Sequence, residues 1–164
     1  MRADRVYFGT EGGAFYAIST IADGAKQPAV VWTYRDPQRN QPVRAGAAVG
    51  EHIVVYGSQS KAIYGLELAT GNETWKVTTR ARVESSPVIA KDRVVAATTS
   101  GKIYLLDLTS GEVKWESDFG GSFVASPSVV DGKILIGNSD GTLYCLGAKQ
   151  SAPQKSATEA VEKK

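Results

Sequence analysis

The stretch that decides the fold is SGKIYLLDLTSGEVKW, residues 100–115 of the 164-residue chain. It combines a turn glycine, an apolar run with a tyrosine, a second glycine and a tryptophan. The residues that recur at an offset of 40 are Tyr64, Tyr104 and Tyr144, Gly71 and Gly111, and Trp75 and Trp115. Such self-similarity at one offset is the sequence signature of a repeat protein.

Four copies of the unit follow one another along the chain. They cover residues 5–34, 43–78, 83–118 and 123–150. Within a copy, short runs rich in Val, Ile, Tyr and Leu alternate with turn dipeptides, which predicts up to four strands, A to D. The first copy supplies B to D, the middle two supply A to D, and the last supplies A to C. The pattern predicts an all-β fold, a partial β-propeller of four-stranded antiparallel blades arranged as an open arc.

These copies define one repeat domain, residues 1–150. The remaining residues 151–164, SAPQKSATEAVEKK, are polar and carry no strand pattern. They are predicted to form a flexible tail.

Composition excludes several classes of function. The formal net charge is only +2, and the sequence contains neither a basic block nor a basic amphipathic helix. Nucleic-acid binding is therefore not expected. The sequence contains no apolar run of about eighteen residues, the length that a membrane-spanning helix needs, so direct membrane insertion is not expected. The first residues show no export signal. We therefore expect a cytoplasmic protein, or a periplasmic or cell-envelope protein if an upstream signal is missing.

The recurring residues are assigned to the framework. A large aromatic residue at a fixed place in every copy suits the interface between neighbouring blades. The glycines suit tight turns that need a positive φ, and no helix follows them as a phosphate-binding loop would require. The framework residues are Trp32, Trp75, Trp115, Gly71, Gly111, Tyr64, Tyr104 and Tyr144.

The remaining reactive side chains predict neither a catalytic nor a metal site. Glu67 and Asp107 occupy one repeat position, but their counterparts in the outer copies are not acidic, so a hydrogen bond to the following turn is expected. His52 is the sole histidine and has no neighbours at ligand spacing. Cys145 is the sole cysteine, lies within a strand, and is predicted to be a small buried apolar residue.

The connections between copies break the repeat and are the predicted partner-binding surface. They lie on the same side of a propeller as the turns between strands B and C. Arginine and aromatic residues are favoured at protein interfaces, although exposed arginines are often only solvated. The predicted binding residues are Arg35, Arg39, Arg44, Arg80, Arg82, Phe119 and Phe123.

The unit resembles the pyrroloquinoline-quinone (PQQ) type of propeller repeat. The resemblance covers residues 5–147 and rests on the Tyr-x-Leu-Asp strand followed by a Gly-x-x-x-Trp turn. One branch of this family, the quinoprotein alcohol dehydrogenases, implies PQQ, a calcium ion, an acidic base and an adjacent cysteine pair. The other branch, the BamB-like scaffolds of outer-membrane β-barrel assembly, implies no catalysis and binding of partner proteins through inter-blade loops.

The single cysteine departs from the dehydrogenase pattern, and the arginine-rich loops favour the scaffold branch. We therefore expect a non-enzymatic scaffold that binds protein partners and takes no cofactor. The alternatives are a fragment of a PQQ-dependent alcohol dehydrogenase, with PQQ and Ca²⁺, and a structural or ligand-sensing repeat module. Because such propellers have eight blades, the four copies are expected to be the C-terminal part of a larger propeller, or else a half-ring closed by a homodimer.

Overall fold

The computed structural model describes residues 4–20 and 27–147. This part of the chain forms four antiparallel sheets, here called blades 1 to 4, in each of which consecutive strands are neighbours. Blade 1 consists of β1 (Arg5–Gly9), β2 (Ala14–Ser19) and β3 (Val30–Arg35). Blade 2 consists of β4 (Ala48–Val49), β5 (Ile53–Ser58), β6 (Ala62–Glu67) and β7 (Glu73–Thr78). Blade 3 consists of β8 (Val88–Ala90), β9 (Arg93–Ala97), β10 (Lys102–Asp107) and β11 (Val113–Asp118). Blade 4 consists of β12 (Ser128–Val130), β13 (Lys133–Gly137) and β14 (Leu143–Gly147).

The predicted fold class is confirmed: the described residues form an open, all-β series of blades with the expected three, four, four and three strands. None of the described segments is a helix that could span a membrane. The predicted tail, residues 151–164, lies outside the described residues.

The core lies at the three junctions between successive blades. At the first junction, the ring of Phe15 stacks on Tyr56 with centroids 4.1 Å apart, and Tyr56 stacks on Tyr64 at 5.0 Å. The second and third junctions are filled chiefly by aliphatic side chains, among them Val94 and Ile103. Each blade therefore packs at least one face against a neighbouring blade, because a single blade has too little apolar surface to be stable alone.

The tryptophans of blades 1 and 2 join each blade to the next. The indole N–H of Trp32 donates to the carbonyl of Leu68 at 3.2 Å, and that of Trp75 donates to the carbonyl of Leu108 at 3.0 Å. In blade 3, Trp115 is 40% exposed. Two of the three recurrent tryptophans thus form inter-blade contacts of the predicted kind.

A bulge precedes each of these tryptophans. In blade 2, Gly65 is opposite Trp75, but Leu66 is opposite Glu73, so one residue of β7 has no partner on β6. The same shift occurs between β2 and β3 and between β10 and β11. Because a bulge increases twist and re-aims a side chain, it helps to direct Trp32 and Trp75 toward the turn of the next blade.

The two end blades leave apolar surface uncovered. Val6 in β1 is 51% exposed and Leu143 in β14 is 70% exposed. Cys145 is also exposed, so the prediction that it is buried was wrong. The reason is positional: Cys145 lies on the far side of blade 4, where no further blade covers it among the described residues.

Candidate partner-binding surface

One concave surface lies where strands β5 and β7 end and β6 begins. It has a volume of about 680 Å³ and is here called the cationic basin. Its charged residues are Arg39, Lys61, Arg80 and Arg82. Amides and hydroxyls complete the lining, from Gln38, Asn40, Gln41, Gln59, Ser60, Thr78 and Thr79.

The local fold explains how these cations converge. Arg39 lies in the connection after blade 1, and its guanidinium donates to the carbonyl of Ser60 at 2.9 Å. Lys61 occupies the tight turn between β5 and β6 with a φ of 61°. Arg80 and Arg82 follow β7 in the connection to blade 3. Blades 1 and 2 thus each supply a connection to one basin.

The charged side chains that line the basin are all positive. No carboxylate lines it among the described residues. The side chains of Arg80 and Arg82 make neither a hydrogen bond nor an ion pair within the described part of the chain, and both are exposed. Unpaired guanidinium groups in a polar concavity attract carboxylates and can bind them in a bidentate manner.

Two predicted arginines lie outside the basin. Arg35 donates to the carbonyl of Gly12 at 2.9 Å. Arg44 forms a bidentate pair with Glu11, with N–O distances of 2.8 and 3.1 Å. The hydrogen bond from Arg44 lowers the pKa of Glu11 below its ordinary value. Both arginines therefore already have partners on neighbouring turns.

The structure corrects the prediction that Phe123 belongs to the binding surface. Its side chain is fully buried at the junction of blades 3 and 4, edge-on to Tyr144 at 5.8 Å. Val43 and Val83, at the two preceding offsets of 40, are buried as well. This periodicity was present in the sequence and would have assigned Phe123 to the core.

Phe119 is half-buried rather than open. Its ring lies 5.0 Å from that of Tyr144 and 6.3 Å from that of Trp115. It does not line the basin.

A buried network behind the basin was missed by the sequence analysis. Asp36 accepts hydrogen bonds from Lys76 Nζ at 2.6 Å, from the hydroxyl of Tyr64, and from the backbone N–H of Gln38 at 2.8 Å. Burial opposes ionisation of Asp36, but the hydrogen bonds from Lys76 and Tyr64 lower its pKa to about 2. The Tyr64 hydroxyl also bonds that of Ser60 at 2.8 Å. Because Gln38 and Ser60 line the basin, this network holds two of its segments together.

No repeat signal could have revealed Asp36. The residues that follow strand D in blades 2 and 3 are Thr79 and Phe119, so the position does not preserve its chemistry. Only the fold brings Asp36 against Lys76, which lies 40 residues away in sequence.

The other titratable residues form turns or surface pairs. The Asp107 carboxylate accepts the backbone N–H groups of Thr109 and Ser110, both at 3.1 Å, as expected for a turn residue. The imidazole Nε2 of His52 lies 3.6 Å from a carboxylate oxygen of Glu51. Within residues 4–20 and 27–147 no group of three or more His, Cys, Asp or Glu side chains could hold a metal ion.

Comparison with known proteins relates most of the chain to one family and the fold to several structures. Residues 1–157 match the family model described as "Outer membrane protein assembly factor BamB". The structure is similar to BamB from Moraxella catarrhalis, with 24% identity and a TM-score of 0.70 over 90% of this chain and 43% of that one. The chain thus spans less than half the length of that BamB.

Two further structures share the fold. The computationally designed Ika4 protein has 19% identity and a TM-score of 0.76 over 90% of this chain and 87% of that one. A europium-containing methanol dehydrogenase has 19% identity and a TM-score of 0.62 over 70% of this chain and 23% of that one. No curated protein matches the sequence significantly.

Proposed function

Because this chain belongs to the family of the outer membrane protein assembly factor BamB, we propose that it is a non-catalytic scaffold that binds a partner protein through the cationic basin. By the same family relation, the partner is a component of outer-membrane protein assembly, and the site of action is the periplasmic side of the cell envelope. Arg35 lies beside this surface, where it donates to the side-chain oxygen of Asn40 at 3.3 Å.

The observation that carries the proposal is the pair of unengaged arginines, Arg80 and Arg82, in a polar concavity. When a partner covers these two guanidinium groups, the cost of removing them from water is offset only if the partner supplies carboxylates or carbonyls. No aromatic side chain lines the basin among the described residues, so it offers no platform for stacking nucleic-acid bases.

Capture of partners from an envelope extract of the source organism tests this proposal. The double variant Arg80→Ala, Arg82→Ala is expected to retain a specific partner at least about tenfold less than the unmodified chain, because two charge-assisted contacts are lost. Arg44→Ala is the matched control, since Arg44 is exposed but paired with Glu11. Equal capture by the double variant, at unchanged melting temperature, contradicts the proposal.

The shared fold of the methanol dehydrogenase favours one alternative, a PQQ-dependent dehydrogenase fragment. Titration of the chain with PQQ and Ca²⁺, followed by absorbance and dye reduction, separates the two. A scaffold is expected to bind no stoichiometric PQQ, whereas stoichiometric binding with dye reduction supports the dehydrogenase.

A second part of the proposal concerns the exposed faces of blades 1 and 4. Val6 and Phe8 on blade 1 hold the positions that Val94 and Ala96 bury in blade 3. We therefore propose that further blades of the same repeat cover these end faces, either within a larger propeller or from a second copy of the chain.

A further inference from the structure

A second concave surface lies at the opposite ends of the blade 2 strands from the basin. This groove has a volume of about 610 Å³ and lies between the turns after β6 and β10. Its floor contains Ile53 and Leu108. It is here called the acidic groove because its carboxylates are Glu51, Glu67 and Glu73, joined by His52, Asn72, Thr74 and Thr109.

Comparison of the blades explains why this groove is open. In blade 3, Arg93 lies opposite Asp107 in the strand register, and the two form an ion pair at 3.1 Å. In blade 2, the corresponding register pair is Ile53 and Glu67. The acid is retained, but the arginine that neutralises it in the next blade is replaced by an aliphatic side chain.

In blade 1 the arginine at the corresponding position contacts a carbonyl of the next blade. Arg5 occupies it, and its guanidinium donates to the carbonyl of Leu68 at 3.4 Å, the same carbonyl that accepts the Trp32 indole N–H. At the next junction, the carbonyl of Leu108 accepts the Trp75 indole. No arginine reaches that carbonyl in the described part of the chain.

Two carboxylates of the groove, those of Glu67 and Glu73, therefore lie beside its apolar residues without a neutralising cation in the described part of the chain. The carboxylate of Glu67 receives a hydrogen bond from the Thr70 hydroxyl but has no cationic partner among the described residues. The carboxylate of Glu73 accepts a hydrogen bond from the Tyr34 hydroxyl and also has no cationic partner in the described part of the chain. Neither Lys nor Arg lines the groove in the described ranges.

We propose that the acidic groove binds an arginine- or lysine-bearing apolar segment of a partner protein. The guest cation lies between Glu67 and the carbonyl of Leu108. Arg93 makes the carboxylate contact in blade 3, with Asp107, and Arg5 makes the carbonyl contact from blade 1, with Leu68. The apolar neighbours of that cation contact the half-buried Leu108 and the small exposed part of Ile53. This interaction is separate from the cationic basin, because the full length of β5–β7 lies between the two surfaces.

Fluorescence anisotropy with a defined peptide tests this site on the full chain. The probe is fluorescein-labelled Ser-Leu-Arg-Leu-Ser-amide, and the comparison peptide carries citrulline in place of arginine, which keeps the shape and removes the charge. The arginine peptide is expected to bind at least about tenfold more tightly, which corresponds to one charge-assisted contact of about 1.4 kcal/mol.

Variants of the chain locate the binding. Glu67→Gln is expected to weaken the arginine peptide about tenfold and to leave the citrulline peptide unchanged. Ile53→Arg restores the residue type of blades 1 and 3 and is expected to abolish binding by filling the groove. Glu116→Gln, at an exposed acid of β11 that does not line the groove, is expected to leave binding unchanged.

Three results would overturn the proposal. They are no detectable binding of the arginine peptide, equal binding of the citrulline peptide, and equal binding by Glu67→Gln. Circular dichroism of each variant separates loss of the site from loss of the fold. If Ile53→Arg does not fold, Glu67→Gln and the peptide pair still decide the outcome.

Discussion

At the scale of single residues, the inter-blade contact depends on a tryptophan lying against a glycine turn. A Cβ atom added at Gly111 would lie 2.7 Å from Cδ2 of Trp75, and one added at Gly71 would lie 2.5 Å from Cδ2 of Trp32. Both glycines also have a positive φ, +71° and +77°. The turn therefore needs glycine for its backbone conformation and for the space above it.

Gly111→Ala is expected to lower the free energy of unfolding by about 2–4 kcal/mol, because strain at positive φ adds to overlap with the indole. Gly132→Ala is the matched control: Gly132 has the same φ of +71° but open space around its Cα. Its cost is expected to be about 1–2 kcal/mol. Urea unfolding of both variants measures the difference. Equal losses of unfolding free energy would show that the contact with Trp75 does not contribute.

Asp36→Asn tests the buried network. The pKa of Asp36 is about 2 in the folded chain against an ordinary 3.8, so its ionisation stabilises the fold above about pH 4. This contribution, about 2 kcal/mol, is lost as the pH falls toward 2.

Urea unfolding at several pH values should therefore show Asp36→Asn to be less stable at pH 7, with a difference from the unmodified chain that shrinks below about pH 4. Glu51→Gln, at an exposed position, provides the control. A difference that is constant with pH would contradict the assigned ionisation.

At the scale of elements, β3, β7 and β11 share the same bulge and a tryptophan at the same position, but the surroundings of that tryptophan differ along the arc. In β7, Trp75 is buried against the turn of blade 3, whereas Trp115 in β11 is partly exposed. The repeat pattern assigned both to one role. It could not show the difference, because burial depends on the neighbouring blade and not on the residue's own unit.

Trp75→Ala is therefore expected to cost about 3–5 kcal/mol, from a cavity and an unsatisfied Leu108 carbonyl. Trp115→Ala is expected to cost less, about 1–2 kcal/mol, since much of its surface is already in water. Thermal and urea unfolding compare the two, and a larger loss for Trp115→Ala would refute the burial argument.

At the scale of the whole molecule, the arc presents two charged surfaces at opposite ends of its strands and two apolar end faces. The cationic basin and the acidic groove involve the same blade but opposite ends of β5–β7. A scaffold of this shape can hold two partners, or two parts of one partner, without competition.

The end faces predict association through blades 1 and 4. Light scattering over a range of concentrations is expected to show a dimer that dissociates on dilution, because exposed apolar faces of a repeat are stabilised by a further repeat. Leu143→Lys is expected to shift this equilibrium toward the monomer. Glu112→Lys, on the exposed turn after β10, serves as the control. A monomer at every concentration would contradict coverage by a second copy.

The sequence alone determined the period, the number and type of strands, and the turn glycines, because these depend on local propensity and on hydrophobic alternation within each copy. It also identified the arginine-bearing connections. Tertiary structure decided which side chains meet across blades: Arg39, Arg80 and Arg82 converge, Phe123 enters the core, and Asp36 pairs with Lys76. It also opened the groove beside Glu67. These outcomes depend on contacts between residues far apart in the chain, which no property of a single repeat encodes.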